Sequence, residues 1–145
     1  MSEQSQAGTP IQLKFVTEIS DRGRKENVAF EANGLYYIKG NSTYLSFHEP
    51  HQAGDVKTII KINDSDVLIL RSGAVKMRQL YKKKEETKGT YQNQAGTFEM
   101  KTKTNTIEYR WYKGSRKGKL FLSYLLTLHG EAAGRYTITI LFRED

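Results

Sequence analysis

Apolar residues recur at every second position through nearly the whole chain, the period of strands with one buried face. Ile11, Leu13, Phe15, Thr17 and Ile19 share one side; Gln12, Lys14, Glu18 and Ser20 share the other, with Val16 as the exception. After Asp21-Arg22-Gly23 the stripe resumes with Val28, Phe30 and Ala32. Asn33-Gly34 reads as a hairpin turn leading into Leu35–Lys39, because this pair favours positive φ. Thr43–Glu49 is the next strand, stopped by Pro50, and Val56–Asn63 follows it. Val67–Leu70 is apolar on both faces and predicts a strand covered on both sides. Val75, Met77, Gln79 and Tyr81 alternate with basic residues up to a polar tip, Lys82–Lys88. Phe98, Met100, Thr102 and Thr104 hold even positions, whereas Ile107, Tyr109 and Trp111 hold odd ones. Leu120, Leu122, Tyr124, Leu126 and Leu128 make a long stripe, Gly130–Gly134 turns the chain back, and Tyr136, Ile138, Ile140 and Phe142 make the last.

This pattern predicts about ten to twelve short strands, with turn signals every 8–12 residues and almost no helical periodicity. Residues 74–88 contain good helix formers but no apolar stripe at helical spacing. The economical arrangement is one antiparallel meander. A flat sheet of that many strands exposes long edges, and closure into a barrel removes them. The expected organisation is an extended tail over residues 1–10 and a single all-β barrel domain over 11–145.

Charge changes the picture of function more than of fold. Residues 1–70 carry 7 Lys/Arg against 9 Asp/Glu, residues 71–119 carry 14 against 4, and residues 120–145 carry 2 against 3. The excess of positive charge therefore lies in one middle segment, which suits either a solvated basic face or an anionic partner: nucleic acid, an acidic protein or an anionic ligand. Lys76, Arg78, Lys82, Lys83, Lys84, Lys101, Lys103, Arg110, Lys113, Arg116 and Lys117 form this candidate basic surface, with Tyr81, Tyr109, Trp111 and Tyr112 interleaved. The chain has no cysteine, which excludes disulfides, thiolate metal sites and a Cys nucleophile. No stretch approaches the ~20 apolar residues of a membrane helix, and the N-terminus lacks a signal-peptide pattern. A cytoplasmic protein without membrane contact, monomeric or homodimeric, is the expectation.

The order of short motifs carries a resemblance. Tyr44-Leu45-Ser46-Phe47-His48-Glu49 comes first, Arg71-Ser72-Gly73 next, then Tyr91 with Gly96 five residues later. Lys101-Thr102-Lys103-Thr104, Gly118-Lys119-Leu120 and Tyr124-Leu125-Leu126 complete the set. Together these resemble the YwiB-like family of bacterial proteins, from about Ile11 to Phe142. The resemblance implies a calycin-like, lipocalin-like, up-and-down antiparallel barrel of about eight main strands. It implies no catalytic residues to carry over. The family commonly has a proline where Asn93-Gln94 stands here.

No nucleophile–base pair, Gly-rich phosphate loop or GxSxG motif is present, so the expectation is a binding protein rather than an enzyme, with no cofactor. His48 and His51 flank Pro50 near Asp55, a spacing more in keeping with a polar hairpin tip than with a metal site. Glu49 and Arg71 end otherwise apolar strands; they can pair with each other or orient a small molecule at a barrel mouth. Tyr44, Tyr91 and Tyr124 are candidates to line that mouth. The leading expectation is a small molecule bound at the barrel mouth or interior, with nucleic acid or an acidic protein on the basic surface of residues 71–119 as the alternative; what separates them is whether the tyrosines point inward or out among the lysines.

Overall fold

The computed structural model describes residues 8–145, and those residues form strands and turns only. Ten strands follow in order: β1 (Thr9–Asp21), β2 (Arg24–Lys39), β3 (Ser42–Glu49), β4 (Val56–Ile62), β5 (Asp66–Gly73), β6 (Lys76–Lys82), β7 (Glu86–Asn93), β8 (Gly96–Tyr112), β9 (Lys117–Leu128) and β10 (Glu131–Glu144). Each pairs antiparallel with the next, and β10 returns to pair with β1, so the sheet closes. The count is ten rather than about eight, because β4, β5, β6 and β7, only seven or eight residues each, all take full places in the ring. β1 begins at Thr9, and residues 1–7 of the expected tail lie outside the described residues.

Three local expectations need correction. Asn33-Gly34 is not a turn; it lies inside β2, which runs unbroken to Lys39. The glycine is needed for close approach instead: a Cβ at Gly34 would stand 2.6 Å from the Ser46 carbonyl oxygen on β3. The turn back after β9 is made by His129-Gly130 alone, and Gly134 (φ +106°) sits within β10 at a register shift against β9. Val67–Leu70 is covered on one side only: Val67 and Ile69 are buried inside, whereas Leu68 and Leu70 are half-buried on the outer face. A single-layer barrel has nothing to cover that face.

The odd-to-even change of the stripe in β8 has a structural cause. Asn105 bulges out between Thr104 and Thr106, so that Tyr124 opposes Thr104 and Ser123 opposes Thr106. One extra residue shifts the parity, and Met100, Thr102 and Thr104 before it point inward along with Ile107 after it. The Asn105 side-chain amide lies against the Arg135 guanidinium, and with its oxygen turned toward Nη1, 2.7 Å away, it accepts a hydrogen bond that holds the bulge from outside.

Barrel diameter grows with strand number, so ten strands enclose more space than eight and need larger side chains to fill it. Aromatic rings supply the volume in three groups. Phe15 stacks on Phe30 at 5.0 Å and leans on Phe47. Tyr36 stacks on Trp111 at 5.1 Å, with Phe142 against both. Tyr124 lies between Tyr81 and Tyr136, with ring centroids 4.7 and 5.6 Å away.

Candidate functional site: barrel interior and basic outer face

Inside the barrel, Arg71 and Glu49 meet, as strand parity requires of inward positions on β5 and β3. Arg71 Nε donates to Glu49 Oε2 at 2.8 Å, and Thr58 Oγ1 donates to the same oxygen. The Glu49 side chain is only 8% exposed, whereas that of Arg71 is 22% exposed. The carboxylate is therefore spent on the pair, and the guanidinium keeps an edge toward solvent. Along the inner face, the register sets Arg71 beside Met77, Met77 beside Tyr91, and Tyr91 beside Phe98. Tyr124 is buried in the same interior. Burial pushes the Tyr81 hydroxyl up to about 12, while the Tyr124 hydroxyl and the Arg71 charge act in the opposite direction. Burial also raises Tyr124 well above the ordinary tyrosine range.

Of the five candidates for the mouth, Glu49, Arg71, Tyr91 and Tyr124 thus belong to the interior. Tyr44 does not: it points outward from β3, stacked on Tyr37 at 5.0 Å, with Lys61 Nζ 6.0 Å from its ring. Neighbouring Leu45 and Phe47 take the inward phase, which forces Tyr44 out. The histidines are engaged separately. His48 Nδ1 pairs with Asp55 Oδ1 at 2.9 Å, and His51 Nδ1 accepts from the Ala53 amide at 3.1 Å. Among the described residues no group of three or more acidic or histidine ligands converges.

On the outer face, β6, β7 and β8 present Lys76, Arg78, Lys88, Lys101 and Lys103, all pointing away from the core. Tyr81, Tyr109 and Trp111, interleaved with them in sequence, turn inward, and only Tyr112 stands exposed. Lys82 and Lys101 reach carboxylates of Glu85 and Glu86 at 3.9 and 4.0 Å, and Arg116 reaches Glu144 at 3.9 Å. Lys103 Nζ lies 3.4 Å from the carbonyl of Lys84 at the β6–β7 tip. β6 and β7 part beyond the Gln79–Gly89 pair. The wholly buried Gln79 side chain fills the split, donating to the Leu80 carbonyl at 2.8 Å and to Thr102 Oγ1 at 3.1 Å. Outside this split lies an open depression of about 600 Å³, lined by Arg78, Leu80, Lys88, Thr90 and His129 among others.

The model of a domain of unknown function, DUF1934, matches residues 13–140. The chain belongs to the DUF1934 family. It is 37% identical over 134 residues to the uncharacterized beta-barrel protein YwiB of Bacillus subtilis (strain 168), covering 92% of this chain and 93% of the relative. The crystal structure of ywiB protein from Bacillus subtilis superposes with a TM-score of 0.86 at 34% identity, covering 100% of this chain and 99% of that one. The resemblance read from the short motifs is thereby shown, together with the all-β barrel it implied. In this DUF1934 chain the Asn93-Gln94 segment turns without a proline: Asn93 Oδ1 accepts from the Ala95 amide at 2.8 Å. Lys88 is absent from the candidate basic surface although alternation puts it outside, and Tyr136, placed in the last apolar stripe, is not among the candidates for the mouth although register sets it beside Tyr124. The stripe puts Gln79 on the inward side, but its hydrogen-bond partners give no sequence signal, because they meet only through the register of β6, β7 and β8.

Proposed function

We propose that this DUF1934 protein is a non-catalytic binding module that takes single-stranded nucleic acid on its basic outer face. The observation that carries the reading is Lys88 lying directly opposite Lys101 across β7 and β8. Like charges in facing positions cost stability; Glu86 reaches Lys101 at 4.0 Å, whereas Lys88 has no ion pair among the described residues, and a bound phosphate beside it offsets the remaining cost. Arg78 and Lys88 line the adjacent depression, and Lys103 follows Lys101 two residues on. Cations two residues apart on a strand are ~7 Å apart, a regular array suited to a polymer with charge on every unit. Apart from Tyr112, which lies on β8 away from this face, the aromatics of the basic segment are turned inward, so phosphate contacts rather than base stacking dominate on the β6–β8 face, and low sequence preference is expected.

The test is fluorescence anisotropy of a labelled single-stranded oligonucleotide across a salt series. Log affinity should fall linearly with log salt. Replacing Lys88 and Lys101 with Gln, or Lys82, Lys83 and Lys84 with Gln, should lower affinity and flatten the slope by roughly 0.7 for each phosphate left without its lysine. Absence of binding at low salt, or equal competition by polyglutamate, would contradict the reading.

A small-ligand reading keeps one supporting observation, the solvent-facing edge of Arg71 beside a carboxylate that already satisfies its Nε. The interior behind it is filled by aromatic rings, which favours a small anion at the rim over a molecule inside. Arg71→Gln should abolish saturable binding of such an anion; binding that survives the substitution rules the site out.

A further inference from the structure

We infer that the outer face of β8, β9, β10 and β1 holds a second site, a seat for an aromatic base bearing a phosphate. It stands on residues other than those of the nucleic-acid reading above and shares with it only the ligand's charge. The register builds it from two neighbouring rows. One row runs Lys14, Leu141, Lys119, Arg110 across the four strands, and the other runs Gln12, Arg143, Lys117, Tyr112. Within them, Lys119 faces Arg110 and Lys117 faces Arg143. Two like-charge facing pairs in one patch are doubly unfavourable without an anion.

The surface there is concave. A depression of about 540 Å³ is lined by Lys14, Lys117, Lys119, Arg143, Tyr112 and Leu141, with one carboxylate, Glu31, directly opposite Lys14 across β1 and β2 and leaving Lys117, Lys119 and Arg143 without a facing acid. None of the four lining cations is ion-paired among the described residues. Arg143 Nη2 donates to Gln12 Oε1 at 2.8 Å, which holds the guanidinium in place without neutralising it. The floor is set by Gly118, whose missing side chain leaves room for the Phe142 ring beneath it.

The chemistry of the lining has two parts. Tyr112 is 46% exposed and Leu141 is 47% exposed, so a ring face and an aliphatic chain stand open to water within a ring of cations. An inorganic anion would use the cations and leave both apolar groups wet. A nucleotide unit uses both: phosphate on Lys119, Lys117 and Arg143, base against Tyr112 and Leu141. The shared chemistry is that of a free nucleotide or of one unit in a single strand.

The experiment uses the full chain at low salt, with amide chemical shifts followed by NMR during titration with AMP, a short single-stranded oligoadenylate or inorganic phosphate. AMP or the oligoadenylate is expected to shift the amides of Lys119, Leu141 and Tyr112. Lys119→Gln with Arg143→Gln should weaken binding at least about tenfold. Tyr112→Ala should weaken the base-bearing ligand about five- to a hundredfold and leave phosphate unchanged. Comparable affinity for AMP and the oligomer identifies a free nucleotide as the source; much tighter binding of the oligomer identifies a strand. Lys82, Lys83 and Lys84 replaced by Gln should leave AMP binding intact, which separates this site from the β6–β8 face. The inference is overturned if neither base-bearing ligand shifts these amides, or if Tyr112→Ala has no effect on either. All replaced side chains are at outward positions, and unchanged melting temperatures check that each variant folds.

Discussion

Single side chains in this barrel act mainly by occupying or vacating the interior. Gly89 is a strand residue facing the Gln79 amide, and a Cβ there would collide with that amide and with the Arg78 carbonyl. Gly89→Ala is therefore expected to lower stability by roughly 1–3 kcal/mol, read as a lower urea midpoint at unchanged slope. Glu49→Ala removes the partner of Arg71 and the acceptor of Thr58. Because Arg71 retains some water, the cost should be about 1–3 kcal/mol rather than that of a fully buried charge. A midpoint equal to wild type would show that the pair is not formed in solution.

The buried tyrosines set a direction for alkaline stability. Tyr81 loses its proton near the ordinary value of 10.0 when unfolded and at about 12 when folded. The folded state thus binds the proton more tightly. The stability this contributes is complete below pH 10 and declines as pH rises to about 12, at roughly 1.4 kcal/mol per pH unit. Urea midpoints measured over that range should fall steeply in wild type and less steeply in Tyr81→Phe. Parallel curves would mean that Tyr81 is hydrated.

At the scale of elements, the bulge at Asn105 decides which residues of β8 enter the core. Deleting Asn105 keeps the chemistry of the strand but inverts the phase of Ile107, Tyr109 and Trp111, which would then face water. Loss of the folded state is expected by circular dichroism, whereas Asn105→Ala, which keeps the residue count, should cost only about 1 kcal/mol. A folded deletion variant would place the parity change elsewhere. This element also marks how far the sequence can be read. The two stripes of β8 were legible because apolar side chains report their own side of a strand, and their change of parity was visible in the letters. Asn33-Gly34 misled for a related reason. The pair reports only that a glycine is needed, and the need here is the approach of the Ser46 carbonyl on β3, a long-range contact. Tyr44 misled because a large ring fits either side of a strand, and only Leu45 and Phe47 beside it decide the phase. Glu49 and Arg71 were found because charge at the end of an apolar stripe is conspicuous. The Lys14–Arg110 row was not, because its four members lie on four strands and meet only through register.

At the scale of the whole molecule, composition and architecture divide the labour. The aromatic residues needed to fill a ten-stranded ring go inward in three groups, and the excess of Lys and Arg is left on the outside. The charge asymmetry of residues 71–119 becomes a surface only after folding, when β8 carries it past β9 and β10 to the Lys14 side of β1. Along that path the fold sets cation against cation three times, at Lys88–Lys101, Lys119–Arg110 and Lys117–Arg143. Hairpin pairing fixes these contacts, so the repulsion cannot be relieved by shifting one strand without moving its whole apolar stripe to the wrong face. The barrel gains stability from such pairs only where an anion joins them.

Binding on the outer basic face, as proposed, leaves the interior rings undisturbed. The most direct measurement is a two-dimensional amide and aromatic NMR titration of the wild-type protein with a short single-stranded oligonucleotide at low salt. Shifts are expected at Arg78, Lys88, Lys101 and Lys103 that vanish as salt is raised, with the ring signals of Phe15, Phe47, Tyr81 and Tyr124 unmoved. Shifts concentrated on those interior rings, or none on the outer lysines, would contradict it.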